Sequence, residues 1–193
     1  MDSTVIKFMA ALLAGGMALP SHAAAATLEA TLKVLAPVPG DPAAQRIPGM
    51  IRRNGDSWQL TYGILAGKAA KMPPLATISV RPSTGQARLD DPARRVRKAL
   101  DLQGLRQVKF SAIAQDPEAL GALVLVGPRL KREAKFIRES HYKGQKVQEY
   151  VFEEGKDVFG QILYAPALGI PLSIDTYDAV KHLRTFVEVE VNR

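Results

Sequence analysis

Gly49-Met-Ile-Arg-Arg-Asn54-Gly55-Asp-Ser-Trp58-Gln-Leu-Thr-Tyr62 is the stretch whose reading decides the fold. Asn54-Gly55 sits between two extended runs, and both residues tolerate the positive φ that a tight hairpin turn demands. Trp58, Leu60 and Tyr62 fall on alternate positions, so one face of the second strand carries all three. A hairpin with one apolar face belongs to a half-buried antiparallel sheet.

The same period continues on both sides. Upstream, Leu28, Ala30, Leu32 and Val34 alternate with Thr27, Glu29, Thr31 and Lys33, until Pro37, Pro39, Gly40 and Pro42 end the run. Downstream, Ala76 to Arg81 is extended, turns at Pro82-Ser-Thr-Gly85 and continues through Gln86 to Leu89. The last third returns to strands: Phe136 to Tyr142, Val147 to Phe152, Val158 to Tyr164, Leu172 to Tyr177 and Thr185 to Val191. Lys143-Gly144 and Glu153-Glu154-Gly155-Lys156 supply turns between them.

The middle of the chain changes character. Asp90-Asp91-Pro92 offers an N-cap followed by Pro at a first helical position, and Ala93, Val96, Ala99 and Leu100 recur at helical spacing. This predicts a helix over 92–102, stopped by Gly104. After a short strand over 108–114, Asp116-Pro117-Glu118 opens a second helix over 119–126, terminated by Gly127-Pro128. That segment, Ala-Leu-Gly-Ala-Leu-Val-Leu-Val, is apolar nearly all round, which places it against the inner face of the sheet. About nine strands with two helices gathered in the middle make an α+β fold, and nothing divides residues 27–193 into two domains.

Residues 1–26 read as an exported leader: one Lys at position 7, an apolar core from Phe8 to Leu19, then Pro20 and small residues up to Ala26. The core is too short and too broken by Gly15-Gly16 to span a bilayer. Cleavage near Ala26 leaves a periplasmic product that is not membrane-spanning. The chain has no Cys, hence no disulfide and no acylation site, and a formal net charge of +7. That charge favours anionic company.

Three elements, in order, are similar to a known group. They are Gly55-Asp-Ser-Trp58-Gln-Leu-Thr-Tyr62, then Gly144-Gln-Lys-Val147-Gln-Glu-Tyr150, then Leu163-Tyr164-Ala-Pro166-Ala-Leu-Gly169-Ile-Pro171-Leu-Ser-Ile174. The pattern resembles the periplasmic outer-membrane lipoprotein carrier-like superfamily, which includes half-barrel lipoprotein carriers and the sensor domains of sigma-factor regulators. The resemblance implies a strongly curved, open half-barrel whose concave face, lidded by helices, holds acyl chains or another apolar ligand. It brings no catalytic residue with it.

Candidate site residues follow from pattern and chemistry. Trp58, Leu60, Tyr62, Leu120, Leu123, Val124 and Leu168 are the apolar residues that would face a ligand on the inner side. Two basic runs, Arg94, Arg95, Arg97 and Lys98, then Arg129, Lys131 and Arg132 with Lys135 and Arg138, read as a patch for anionic lipid or lipopolysaccharide. Scarce aromatics near them argue against nucleic acid. Neither His141 nor His182 has a His, Asp or Glu partner at ligand spacing on an obvious helix, so no metal is expected, and no nucleophile motif marks an enzyme. No cofactor is implied. Two functions fit: an exported, non-enzymatic carrier, chaperone or sensor for a lipid, acyl chain or lipoprotein, or a structural or protein-interaction module of the envelope.

Overall fold

The computed structural model describes residues 27–38, 41–63, 76–115 and 118–192, with backbone alone for residues 36–38 and 41–47. The leader reading for residues 1–26 and the Asp116-Pro117 start signal lie outside the described residues. The elements in chain order are β1 (Leu28–Val38), β2 (Asp41–Asn54), β3 (Ser57–Tyr62), β4 (Ala76–Arg81), β5 (Gln86–Asp91) and β6 (Val96–Ala99). A helical crossover follows: α1 (Leu102–Gln107), the 3₁₀ segments Phe110–Ala112 and Glu118–Leu125, and α2 (Gly127–Glu133). The chain then forms β7 (Lys135–Tyr142), β8 (Gln145–Glu153), β9 (Val158–Ala165), β10 (Ile170–Asp178) and β11 (Leu183–Val191).

All eleven strands join one sheet in the order β6-β5-β4-β3-β2-β1-β11-β10-β9-β8-β7, where the sequence reading counted about nine. Every pair is antiparallel. Two meanders, β1–β6 and β7–β11, meet at the β1·β11 seam, and β6 and β7 are the edges, so the sheet is not closed into a barrel. Because α1 to α2 link one edge to the other, the crossover must pass over a face. It takes the inner one.

Period two decides which residues that face carries. A single register row runs Ala30–Ile51–Leu60–Ile78–Leu89 across five strands, and its members are at most 4% exposed. Its counterpart in the other meander is Tyr150–Ile162–Ile174–Val187. Each fully buried aliphatic side chain contributes about 1.5–3 kcal/mol relative to leaving it in water. The 3₁₀ segment Glu118–Leu125 completes this core, with Ala119 through Leu125 all buried, as its all-round apolar composition predicted.

The sheet bends around that segment. In a flat sheet, four inter-strand intervals would set β3 and β10 about 19 Å apart. Here Arg53 of β2 donates to the carbonyl of Leu168, in the β9–β10 turn, at 3.2 Å. A Cβ placed on Gly169 of that turn would lie 3.9 Å from Trp58 Cζ2.

Three details of the middle segment differ from expectation. Residues 92–102 are not a helix: Pro92–Arg95 form a turn and Val96–Ala99 pair with β5. The Asp91 carboxylate does accept a backbone N–H, that of Arg94 at 3.1 Å, but Arg95 N donates to the carbonyl of Pro92 and takes φ 55°, which closes a turn. The helix begins ten residues later, where the Asp101 side chain caps Gln103 and Gly104. The expected strand over 108–114 contains a 3₁₀ turn instead. Glu154 explains it, since its carboxylate accepts the N–H groups of Phe110 (2.7 Å) and Ser111 (3.3 Å) that a strand partner would otherwise satisfy. Finally, Gly127-Pro128 follows the end of the 3₁₀ segment at Leu125, as expected, but also opens α2, because Pro needs no N–H in a first turn.

Candidate functional site

A groove lies beside the β2–β3 turn. Counting by two from buried Ile51 turns Arg53 inward, and register sets it opposite Trp58. Its guanidinium lies 5.0 Å from the centre of the indole ring, while Nε donates to the Gly55 carbonyl at 2.8 Å. Backbone carbonyls and a ring face hold this cation; among the described residues it makes no ion pair.

Around it lies a groove of about 530 Å³ lined by Trp58, Val124, Leu125 and Tyr164 and by four arginines: Arg53, Arg106, Arg129 and Arg132. Val124 and Leu125 come from the crossover, and Arg106 projects from α1. Tyr164 of β9 closes the wall, its hydroxyl packed so near Gly127 that a Cβ there would collide with it. Burial raises the Tyr164 pKa, helped by Tyr150 and opposed by Arg53, so the phenol stays neutral and able to donate.

Arg129 is the buried member. Its Nη1 donates to the Val108 carbonyl at 2.7 Å, its Nε and Nη2 donate to the Glu133 carboxylate at 2.8 and 2.5 Å, and the Phe110 ring lies 4.5 Å below. Glu133 also accepts from Arg132. Burial alone would raise the Glu133 pKa, but the hydrogen bonds and charges of Arg129 and Arg132 outweigh it and hold the carboxylate below its usual range. Two of the four guanidiniums, those of Arg129 and Arg132, share the Glu133 carboxylate, and the groove keeps an excess of positive charge above apolar walls. Such an arrangement accepts a group with an anionic head and an apolar body.

Of the apolar candidates, Trp58 and Val124 line this groove, and Leu168 contributes its carbonyl to Arg53. Leu60, Tyr62, Leu120 and Leu123 are packed in the core at 0, 7, 2 and 0% exposure. The basic candidates divide. Arg94 and Arg95 sit on the β5–β6 turn, Arg97 and Lys98 on edge strand β6, and Lys131 and Arg132 on α2, where Arg129 is the buried one. Arg53 and Arg106 were not among the candidates. The signal for Arg53 was its place two residues after Ile51; nothing local marks Arg106. His141 is on β7 and His182 lies 3.8 Å from Asp178 in the β10–β11 turn. Among the described residues no three His, Asp or Glu side chains come together as a metal site, and no helix is long and apolar enough to cross a membrane.

No family model matches the chain, and no curated protein matches it. Among solved structures it is similar to an uncharacterized conserved protein from Thermus thermophilus, at 8% identity over 86% of this chain and 78% of that one, TM-score 0.47. It is similar to MucB in the Pseudomonas aeruginosa MucA/MucB complex, at 12% identity over 86% of this chain and 51% of that one, TM-score 0.43. It is also similar to a putative outer membrane lipoprotein-sorting protein domain from Vibrio parahaemolyticus, at 9% identity, 86% and 83% coverage and TM-score 0.35. The chain thus spans about half the length of that MucB. Likeness of this degree says nothing of ligand or partner.

Proposed function

We propose that the protein binds an amphiphilic component of the cell envelope, an acyl chain, lipid or lipoprotein with an anionic head group, as a non-enzymatic carrier, chaperone or sensor. One observation carries the reading: four arginines stand over a wall of Trp58, Val124, Leu125 and Tyr164 in one groove, with the Glu133 carboxylate paired to two of them. The head group seats among Arg53, Arg106 and Arg132, and the chain follows the seam between Trp58 and Val124. Burying the chain supplies affinity in proportion to apolar area, and the guanidiniums select charge.

A second reading has its own support. The crossover is buried from Ala119 to Leu125, which suits a protein-interaction module whose sheet is filled for good.

Trp58 is the chain's only tryptophan, so its fluorescence separates the two. A long-chain fatty acid should change it saturably, the matching fatty alcohol should do so more weakly, and Arg53→Gln should abolish the preference. Absence of a saturable change across chain lengths leaves the interaction module as the reading.

A further inference from the structure

The groove uses the inner face; the outer face of the same meander has its own character. Residues 76–100 contain six Lys or Arg and two Asp. Register distributes them. Thr77, Ser79 and Arg81 of β4 alternate with buried Ala76, Ile78 and Val80, so they point outward. Arg88 and Asp90 of β5 point the same way, with Arg97 of β6 opposite Asp90. Together they edge a shallow depression of about 660 Å³, lined by Ser57, Ser79, Arg81, Gln86, Arg88 and Arg97 among others.

Some of this charge is compensated. Arg97 pairs with Asp90 at 3.1 Å, Arg94 with Asp91 at 3.7 Å and Lys98 with Glu118 at 2.7 Å. Arg81, Arg88 and Arg95 make no ion pair among the described residues, and all are exposed. The outer face of the other meander is different. Lys143 bridges Glu188 and Glu190, Arg138 bridges Glu149 and Lys146 bridges Glu139. These cations close on carboxylates of their own meander.

We propose that the outer face of β4–β6 docks on an anionic bilayer surface, with Arg81, Arg88 and Arg95 meeting lipid phosphates and the Ser57 and Ser79 hydroxyls and the Gln86 amide lending donors. Charge complementarity argues for a bilayer rather than one small anion. The three uncompensated guanidiniums are spread over β4, β5 and the β5–β6 turn instead of converging on a point, and a sheet face carrying them matches an extended array of head groups. The asymmetry between the meanders fixes the orientation, β4–β6 toward the lipid. This stands independently of the groove.

The test is flotation of the protein with vesicles of phosphatidylcholine alone, or mixed with an equal part of phosphatidylglycerol. Flotation is expected only with the anionic vesicles, and it should vanish at about 1 M salt, where the screening length falls to ~3 Å. Replacing Arg81→Gln and Arg88→Gln together should lower the partition coefficient about tenfold or more. Arg138→Gln with Lys146→Gln removes the same charge from the other meander and should leave flotation nearly intact. Equal binding to neutral vesicles overturns the proposal, as does an equal loss from the two double variants. Displacement by inorganic phosphate at matched ionic strength overturns it too, assigning the depression to a small phosphorylated solute. Circular dichroism verifies that each variant is folded, and flotation is read without reference to Trp58 quenching, so either result can fail alone.

Discussion

In the β1–β6 meander the buried row Ala30–Ile51–Leu60–Ile78–Leu89 faces the crossover, and in β7–β11 the row Tyr150–Ile162–Ile174–Val187 does the same from the other side. Turned over, the two halves part company. One carries exposed guanidiniums, those of Arg81, Arg88 and Arg95, without a carboxylate partner among the described residues, whereas the other ties Arg138, Lys143 and Lys146 to Glu149, Glu188 and Glu139. The inner faces are alike because packing around one shared segment requires apolar volume and little else. Outer faces answer to water, and there composition is free to differ with use.

Substitutions can break this contrast, beginning where it is most costly. Leu123 is wholly buried between the halves, so Leu123→Arg places an unpaired charge in the core and should cost about 3–5 kcal/mol or prevent folding. Gln59→Arg, on the exposed outer face, should stay within about 0.5 kcal/mol in the same urea titration. Equal costs would show that the inner and outer faces are misassigned.

Gly160 offers a finer cut. A Cβ there would collide with the Phe152 ring and lie 2.7 Å from the Asp175 carbonyl oxygen. Phe152 fills the space over the glycine and meets Phe110 edge-on at 5.0 Å. Gly160→Ala should therefore destabilise by about 1–3 kcal/mol through overpacking, read as a fall in the urea midpoint. A neutral result would mean that the Phe152 ring does not rest there.

Glu154 fastens the crossover to the β7–β11 half through Phe110 and Ser111. Glu154→Ala should cost about 2 kcal/mol, by leaving amides of the 3₁₀ turn without their charged acceptor. Hydrogen exchange at residues 110–112 should accelerate while β3 and β4 stay protected. Uniform acceleration across the sheet would argue against a local fastening.

The smallest effect concerns acid. Burial raises the Glu188 pKa, but the hydrogen bond and charge of Lys143, the Tyr142 hydroxyl and Lys33 together bring it below the ordinary 4.5. A carboxylate lowered in the folded state adds stability that is present above pH 4.5 and is lost as pH falls through its folded value. Glu188→Gln should thus be less stable than the parent near pH 6, and the gap should narrow below about pH 4.5. Asp175 has the opposite sign: burial pushes its pKa up, with Glu188 adding to the rise and Ser173 opposing it. Its replacement by Asn should stabilise at about pH 6 and lose that advantage in acid. Gaps that do not move with pH would detach both residues from the titration.

Most strands were legible, because one buried face forces period two and Asn54-Gly55, Lys143-Gly144 and Gly155 punctuate it. The β5–β6 turn was not. Asp91-Pro92 suits a turn as well as a helix start, and the four-residue β6 has three exposed side chains, so no apolar alternation marks it as a strand. Only pairing with Arg88–Asp91 decides it. The groove was half legible: Trp58 and Val124 carry the apolar signal, whereas Arg106 reaches it from a helix whose position depends on tertiary packing.

The β1·β11 seam has a consequence in time. Leu32 and Val189, register partners there, are separated by almost the whole described chain. Synthesis from the N-terminus can form each meander from neighbouring hairpins, yet one side of β1 stays an unpaired edge until β11 emerges. Such distant closure slows folding and exposes a strand that other chains can capture. Expression yield and refolding should therefore be limited by a holding factor or by dilution, and a circular permutant joining Glu29 to Asn192, whose backbones already share a 3.0 Å hydrogen bond, should fold faster than the parent.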